Sequence, residues 1–146
     1  VKKFKPNAIF KGVKIRPGKP ILFCNYKNKN KSFFGLPGNP ISSAACFRFF
    51  VFPYLQKILG LNLEKPFFAT LKNNFEKKKN FTRFVKAKLN LNKNSKLTVE
   101  ILKGQESFRI KSFVDGNVWA VLKDGKSSYK KGDQIECYYS TFLNKF

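Results

Sequence analysis

Histidine and methionine are both missing from this 146-residue chain, and acid is scarce: eight Asp and Glu stand against thirty Lys and Arg, for a formal charge of +22. Without histidine no Ser–His or Cys–His nucleophile–base set can be assembled. Cys24, Cys46 and Cys137 are widely separated, odd in number and free of any C-x-x-C spacing, which fits reduced, buried thiols. No apolar run approaches the length of a membrane span. Val1 to Pro6 is basic but has no apolar segment behind it, so it does not read as a signal peptide. A soluble, cytoplasmic chain without membrane contact is expected. The absent initiator Met fits a portion of a longer protein.

Acid is missing outright from residues 1–63, where ten Lys and two Arg precede Glu64, the first carboxylate. That half cannot hold a hard cation with its own carboxylates, yet it suits an anion. The positive charge itself comes with a compositional bias. There are 26 Lys against 4 Arg, alongside 14 Asn and 18 Phe, as A- and T-rich codons would give. Arg, the better bidentate reader of phosphate and guanine, is scarce, and the lysines are spread along the whole chain. A basic nucleic-acid-binding module is therefore the lesser alternative.

The patterning divides the chain in two. Gly12–Arg16 alternates as a short strand leading into the turn Pro17-Gly18-Lys19-Pro20. Ile21–Cys24 and Ser32–Leu36 read as apolar strands, either a hairpin or neighbours in a larger sheet. Asn39-Pro40 reads as an N-cap followed by Pro at the first helical position, opening a helix over Ile41–Leu59 that Gly60 closes. Pro53 should kink or split it, and its all-round hydrophobicity predicts packing on most sides. A boundary falls at Leu61–Pro66. Beyond it Phe81–Leu89, Leu97–Leu102, Val118–Leu122 and Ile135–Tyr139 read as short strands of a small antiparallel barrel or sandwich. Lys77-Lys78-Lys79-Asn80 reads as a solvated loop. The fold class expected is α/β followed by a small all-β, barrel-like domain.

Three places carry candidate chemistry. At Pro37–Ser43 a helix start offers backbone N–H groups and the Ser42 and Ser43 hydroxyls to an anion, and Gly35 and Gly38 permit close approach. The same residues equally describe no more than a well-capped helix. In Arg16-Pro17-Gly18-Lys19-Pro20 two cations three residues apart on a stiff turn can converge on an anionic substrate, though the spacing alone fits a solvated turn. Lys103-Gly104-Gln105-Glu106-Ser107 is a polar turn with amide, carboxylate and hydroxyl groups, ordinary by itself.

Taken together, Lys14-Ile15-Arg16-Pro17-Gly18-Lys19-Pro20, then Phe34-Gly35-Leu36-Pro37-Gly38-Asn39-Pro40-Ile41-Ser42-Ser43, then Phe50-Val51-Phe52-Pro53-Tyr54-Leu55 resemble, in order and spacing, the molybdopterin molybdenumtransferase family. Gly104-Gln105-Glu106-Ser107 and Lys111-Ser112 look like the family's weaker Q-G-S and following serine positions. The resemblance implies that residues 1–63 end an α/β molybdopterin-binding domain and that residues 64–146 form a C-terminal β-barrel-like domain. It implies insertion of molybdate into adenylated molybdopterin (molybdopterin-AMP), by a homodimer with its active site in a cleft. It also implies hydrolysis of the adenylate with a divalent metal, Mg²⁺, whose carboxylate ligands lie N-terminal to these residues. No metal ligand is expected in the chain itself, which alone should be inactive.

Carried over by position, Lys19 and Arg16 are the catalytic candidates at the molybdate and phosphate side. Pro37, Gly38, Asn39 and Pro40 shape the pocket with Ser42, and Ser107 faces the cleft from the barrel. Two departures stand out: Arg16 replaces the family's common Lys, and Glu106 replaces a small residue, placing a carboxylate where an anion would approach. A sibling molybdopterin-binding adenylyltransferase is the alternative within the fold, and a barrel after Pro66 argues against it. The whole reading requires the helix near Pro40 to begin at a concave, cationic pocket shared with Lys19.

Overall fold

The computed structural model describes residues 5–6, 8–26, 31–106 and 111–140 (Ala8 by its backbone alone). In the first part, β1 (Ala8–Lys11), β3 (Leu22–Tyr26) and β4 (Lys31–Gly35) form an antiparallel sheet in the order β1-β3-β4. Leu22 stands opposite Gly35 and Tyr26 opposite Lys31, so the two expected apolar strands pair as a hairpin. Phe23 and Phe34 face each other at 4.8 Å, and Tyr54 packs on both rings from a helix above. Ser32 Oγ and Tyr54 Oη lie 2.5 Å apart, fixing that helix to β4. β2 (Ile15–Arg16) leaves this sheet and pairs elsewhere.

The helix begins where Asn39-Pro40 places it. The Asn39 side chain accepts from the Ile41 and Ser42 amides at 3.1 and 3.3 Å, and Pro40 opens α1 (Pro40–Cys46). Asn39→Ala should cost about 1 kcal/mol, as loss of an N-cap does, read as a shift of the urea midpoint at unchanged slope. Pro53 divides the run in two but does not break it. A π-helical turn over Phe47–Val51 joins α1 to α2 (Phe52–Ile58), and the Phe52 amide reaches back five residues to the Phe47 carbonyl. In a continuous α-helix the Pro53 ring would meet the carbonyl four residues earlier; the wider turn relieves that clash.

Past α2 the chain closes on Gly60 at φ +68°, with Gly60 and Leu61 amides returning to the Lys57 and Gln56 carbonyls. That is the left-handed cap expected of glycine. The expected packing on most sides holds for Ile41, Ala45 and Cys46 but fails at the far end, where Ile58 and Leu59 are 59% and 67% exposed.

The second part is a closed five-stranded barrel. Around it run β7 (Thr82–Leu91), β8 (Leu97–Ile101), β5 (Phe67–Leu71), β11 (Gln134–Tyr139) and β9 (Val118–Leu122), with β9 returning to β7. The β5–β8 pair is parallel and the other barrel pairs antiparallel, so the expected antiparallel barrel is mixed at one seam. β6 (Phe75–Glu76) and β10 (Ser128–Tyr129) make a separate two-stranded ribbon, and α3 (Lys111–Val114) is a single turn. Leu71, Val85, Val99, Val118, Leu122 and Ile135 fill the interior, following the period of two along each strand.

All five residues of β9 are buried, because both of its faces are covered. Val118, Ala120 and Leu122 point into the barrel, while Trp119 and Val121 join Ile41, Ala45 and Phe84 in a second core beneath the helices. The π turn supplies the contact: Phe49 stacks on Phe84 at 3.9 Å and 8°, and meets Trp119 and Tyr138 edge-on. Arg48, on the same turn, is 2% exposed and bridges Glu64 and the Tyr139 carbonyl.

Candidate functional site

The turn after β2 is braced against α1. Gly18 sits at φ +103°, and a Cβ placed there would lie 2.5 Å from Cys46 Sγ and 3.2 Å from Ile15 Cδ1. Only a residue without a side chain can follow that path at that distance. The Cys46 thiol donates to the Gly18 carbonyl at 3.5 Å, and burial pushes its pKa up to about 11, so it is a neutral filler and not a nucleophile. Bracing the turn from behind leaves Arg16 and Lys19 exposed on its outer side.

Those two cations open onto a cavity of about 680 Å³. Residues 13–20 and Ser42 form one wall; Asn80, Phe81, Arg83, Gln105 and Glu106 form the other. The β2–β7 pair joins the walls, for Ile15 stands opposite Thr82 and Arg16 opposite Arg83, in parallel.

Side-chain hydrogen bonds hold the barrel-side loops in place. Gln105 accepts from the Lys86 amide at 2.9 Å and donates to the Lys86 and Leu102 carbonyls at 2.7 Å, acting as a short extra strand beside β7. Lys86 Nζ donates to the Gly104 and Glu106 carbonyls, and the Ser112 hydroxyl donates to Gly104 O at 2.5 Å. Lys77, expected in a solvated loop, is buried. Its ammonium donates to the Phe81 carbonyl at 2.7 Å and to the Lys78 carbonyl, setting the loop that carries Asn80 and Phe81.

Cations predominate on the cavity wall, where Lys14, Arg16, Lys19 and Arg83 stand with one carboxylate, Glu106. Burial and then the neighbouring Arg16 charge hold the Arg83 pKa below the ordinary arginine value, with Glu106 opposing. Burial lowers that of Lys86, with Glu106 raising it and Arg83 lowering it further. A bound anion would stabilise the charges of Arg16, Lys19 and Arg83, which line the cavity together.

The sequence-derived candidates are distributed unevenly. Arg16, Lys19 and Ser42 line the cavity together. Pro37, Gly38, Asn39 and Pro40 do not line it. Asn39 is spent on the cap, taking the Ile41 and Ser42 amides on its side chain and the Ser43 amide on its carbonyl. The Ser43 hydroxyl donates to the Pro37 carbonyl. The helix-start amides expected to face a ligand are thus largely occupied, and the anion affinity of the place resides in the cations of the neighbouring turn. Ser107, expected to face the cleft, lies outside the described residues. Arg83, Asn80 and Phe81 were not foreseen. Nothing in a local window marks them, since only a strand pairing across 67 positions brings Arg83 to Arg16.

A three-stranded sheet carrying a helical run, set against a closed barrel with a cationic cavity between them, has counterparts among known proteins. Residues 3–57 match the family described as a probable molybdopterin binding domain, and residues 69–139 match the MoeA C-terminal region (domain IV). The chain therefore joins a molybdopterin-binding-domain part to a barrel of the MoeA type.

Curated relatives extend across both parts. The molybdopterin molybdenumtransferase of Synechococcus elongatus is 30% identical over 129 residues, 88% of this chain and 31% of that protein. The molybdenum cofactor synthesis protein cinnamon of Drosophila melanogaster is 34% identical over 111 residues, 73% of this chain and 18% of that protein. The fold is shared with a solved molybdopterin biosynthesis moeA protein of Pyrococcus horikoshii, at a TM-score of 0.73 and 24% identity, covering 95% of this chain and 33% of that one. This chain belongs to the molybdopterin molybdenumtransferase family, as a C-terminal portion of it. It spans about a third or less of the length of these relatives.

Proposed function

We propose that this chain forms the anion-holding side of a molybdenum insertase active site, which takes adenylated molybdopterin and molybdate as substrates. One observation carries the reading: Arg16 and Lys19, from the turn braced on α1, open into the same cavity as Ser42 at the helix start and the barrel's β7 strand. Molybdate is a tetrahedral dianion and the adenylated substrate carries phosphate groups. Both are bound by cationic donors that line the cavity before the ligand arrives. Lys19 supplies a mobile point charge and Arg16 a planar fork. Holding the oxyanion beside the dithiolene is their contribution to insertion, since proximity and charge neutralisation lower the repulsion that two anions would otherwise feel.

The division at residues 63 and 64 is part of the proposal. It is supported by the turn from α2 into an extended segment and by the buried Glu64 that begins the second part. Magnesium does not fit the residues present. Among the described residues no three His, Cys, Asp or Glu gather, and the cavity wall bears one carboxylate, Glu106, among cations. We place any such metal's ligands outside this chain and derive no step through it. Homodimer formation is supported by the exposed run Ile58, Leu59, Leu61 and Leu63, an apolar edge suited to further protein. A cytoplasmic, reducing location is supported by three free, buried cysteines. No helix among the described residues is long and apolar enough to cross a membrane.

Titration of the chain with molybdopterin and with molybdate tests the reading. Lys19→Ala should weaken both by about tenfold or more, the usual worth of a charge-assisted hydrogen bond. Equal binding by the variant, or salt-sensitive binding to nucleic acid with none to molybdopterin, refutes it. The sibling adenylyltransferase reading loses its ground because the barrel after Pro66 is present.

A further inference from the structure

Of the eight acids in the chain, Glu106 alone lines the cavity, among Lys14, Arg16, Lys19 and Arg83. Its place on the wall is fixed through its backbone. The buried Lys86 ammonium donates to the Glu106 carbonyl at 3.3 Å and to the Gly104 carbonyl at 3.1 Å. The Gln105 side chain, one residue earlier, is tied to the Lys86 amide and carbonyl. Lys86 and Arg83 belong to the same strand, so one element carries both the mount of Glu106 and a cation of the cavity. The Glu106 charge is felt by both. Burial lowers the pKa of Arg83 and of Lys86, and Glu106 opposes the fall in each. A negative charge that relieves repulsion among cations in an empty cavity also repels any anion that enters, in proportion to the anion's own charge.

We infer that Glu106 is a resident counter-charge and a determinant of anion selectivity: it stabilises the unliganded cavity and disfavours the more highly charged ligand, so that an oxyanion held by the cations is also released. The inference rests on the reading of this cavity as the anion side of the site, but it gives a carboxylate the opposite task. Affinity that is equal for the bound substrate and the transition state adds nothing to turnover once the cavity is filled. A carboxylate that trims this affinity keeps the cations from trapping substrate or product. Glu106 is exposed, so its effect is screened by salt and is largest at low ionic strength.

The test uses the chain itself, titrated calorimetrically with molybdate and with nitrate at fixed, low ionic strength. Glu106→Gln removes the charge, Glu106→Asp keeps it on a shorter arm, and Glu100→Gln makes the same change of net charge on a strand that does not line the cavity. Glu106→Gln should bind molybdate about tenfold tighter and nitrate about threefold tighter, since the penalty scales with ligand charge. Glu106→Asp should stay near the parent, and Glu100→Gln should match it. Without anion Glu106→Gln should melt below the parent, and saturating molybdate should close the gap. Tighter binding in a less stable chain is a pair of changes that a merely structural role for Glu106 does not produce.

Unchanged or weaker molybdate binding in Glu106→Gln, an equal gain in Glu100→Gln, or an unliganded melt no lower than the parent's overturns the inference. Molybdate and molybdopterin binding that is independent of Glu106 but lost in Lys19→Ala sinks it and leaves the insertase reading standing. Glu106-dependent molybdate binding without molybdopterin binding does the reverse, and no molybdate binding by parent or variant sinks both.

Discussion

Arg48→Met should destabilise the chain by about 3–5 kcal/mol, the usual consequence of removing one partner from a buried ion pair. The Arg48 side chain is 3% exposed and that of Glu64 8%, with the guanidinium and carboxylate 2.5 Å apart. Nε donates to the Tyr139 carbonyl at 2.9 Å, and the group lies over Phe52 and Tyr138. Three pieces of chain, the π turn, the linker and the last barrel strand, meet on this one side chain. Methionine would fill much of the volume but leave the buried Glu64 carboxylate without the Arg48 charge beside it. Replacing both partners, as Arg48→Met with Glu64→Leu, should recover most of the loss. Urea unfolding followed by Trp119 fluorescence checks it, since Trp119 is buried in the same helix–barrel core. A loss under about 1 kcal/mol for the single variant would place this pair with exposed ones, whose worth is that small.

Gly18→Ala should cost about 2–4 kcal/mol, from a Cβ forced into a close contact and from a left-handed backbone that alanine resists. The offending atom is Cys46 Sγ, 2.5 Å from the ideal Cβ position. Cys46→Ala in the same chain removes that atom, so the double variant should regain the steric share and keep only the backbone share. Oxyanion affinity should fall along with stability in Gly18→Ala, because the turn that carries Arg16 and Lys19 has to lift off α1. If affinity is untouched while stability falls, the bracing of the turn does not position its cations.

The parts of the fold that were legible in advance are those specified locally. Asn39-Pro40 and Gly60 mark the two ends of the helical run through backbone geometry that neighbouring residues alone determine. Ile21–Cys24, Val118–Leu122 and Ile135–Tyr139 announce strands by β-branched and aromatic content. What could not be read depends on distant partners. Phe67–Leu71 follows a proline and shows no clean alternation, and it is a strand because β8 and β11 flank it. Ala8–Lys11 exists as an edge on β3.

The site divides in the same way. Arg16 and Lys19 are visible because prolines and glycine mark their turn. Arg83 resembles any exposed strand cation until β2 pairs with β7. Lys77, in a run of three lysines, looks solvated, and burial under the Phe81 carbonyl is decided by the loop it ties. The π turn is a middle case. Pro53 forecasts an interruption, but a widened turn in place of a break follows from the packing of Phe49 and Arg48 on the barrel.

Soaking crystals of the chain with tungstate, an electron-dense tetrahedral dianion of the size of molybdate, tests the central claim most directly. Anomalous scattering should place the tungsten atom in the cavity between the β2 turn and the barrel, with its oxygens within hydrogen-bonding distance of Lys19 and Arg16. A fully occupied tungstate elsewhere on this basic surface, with the cavity holding none, would contradict the account.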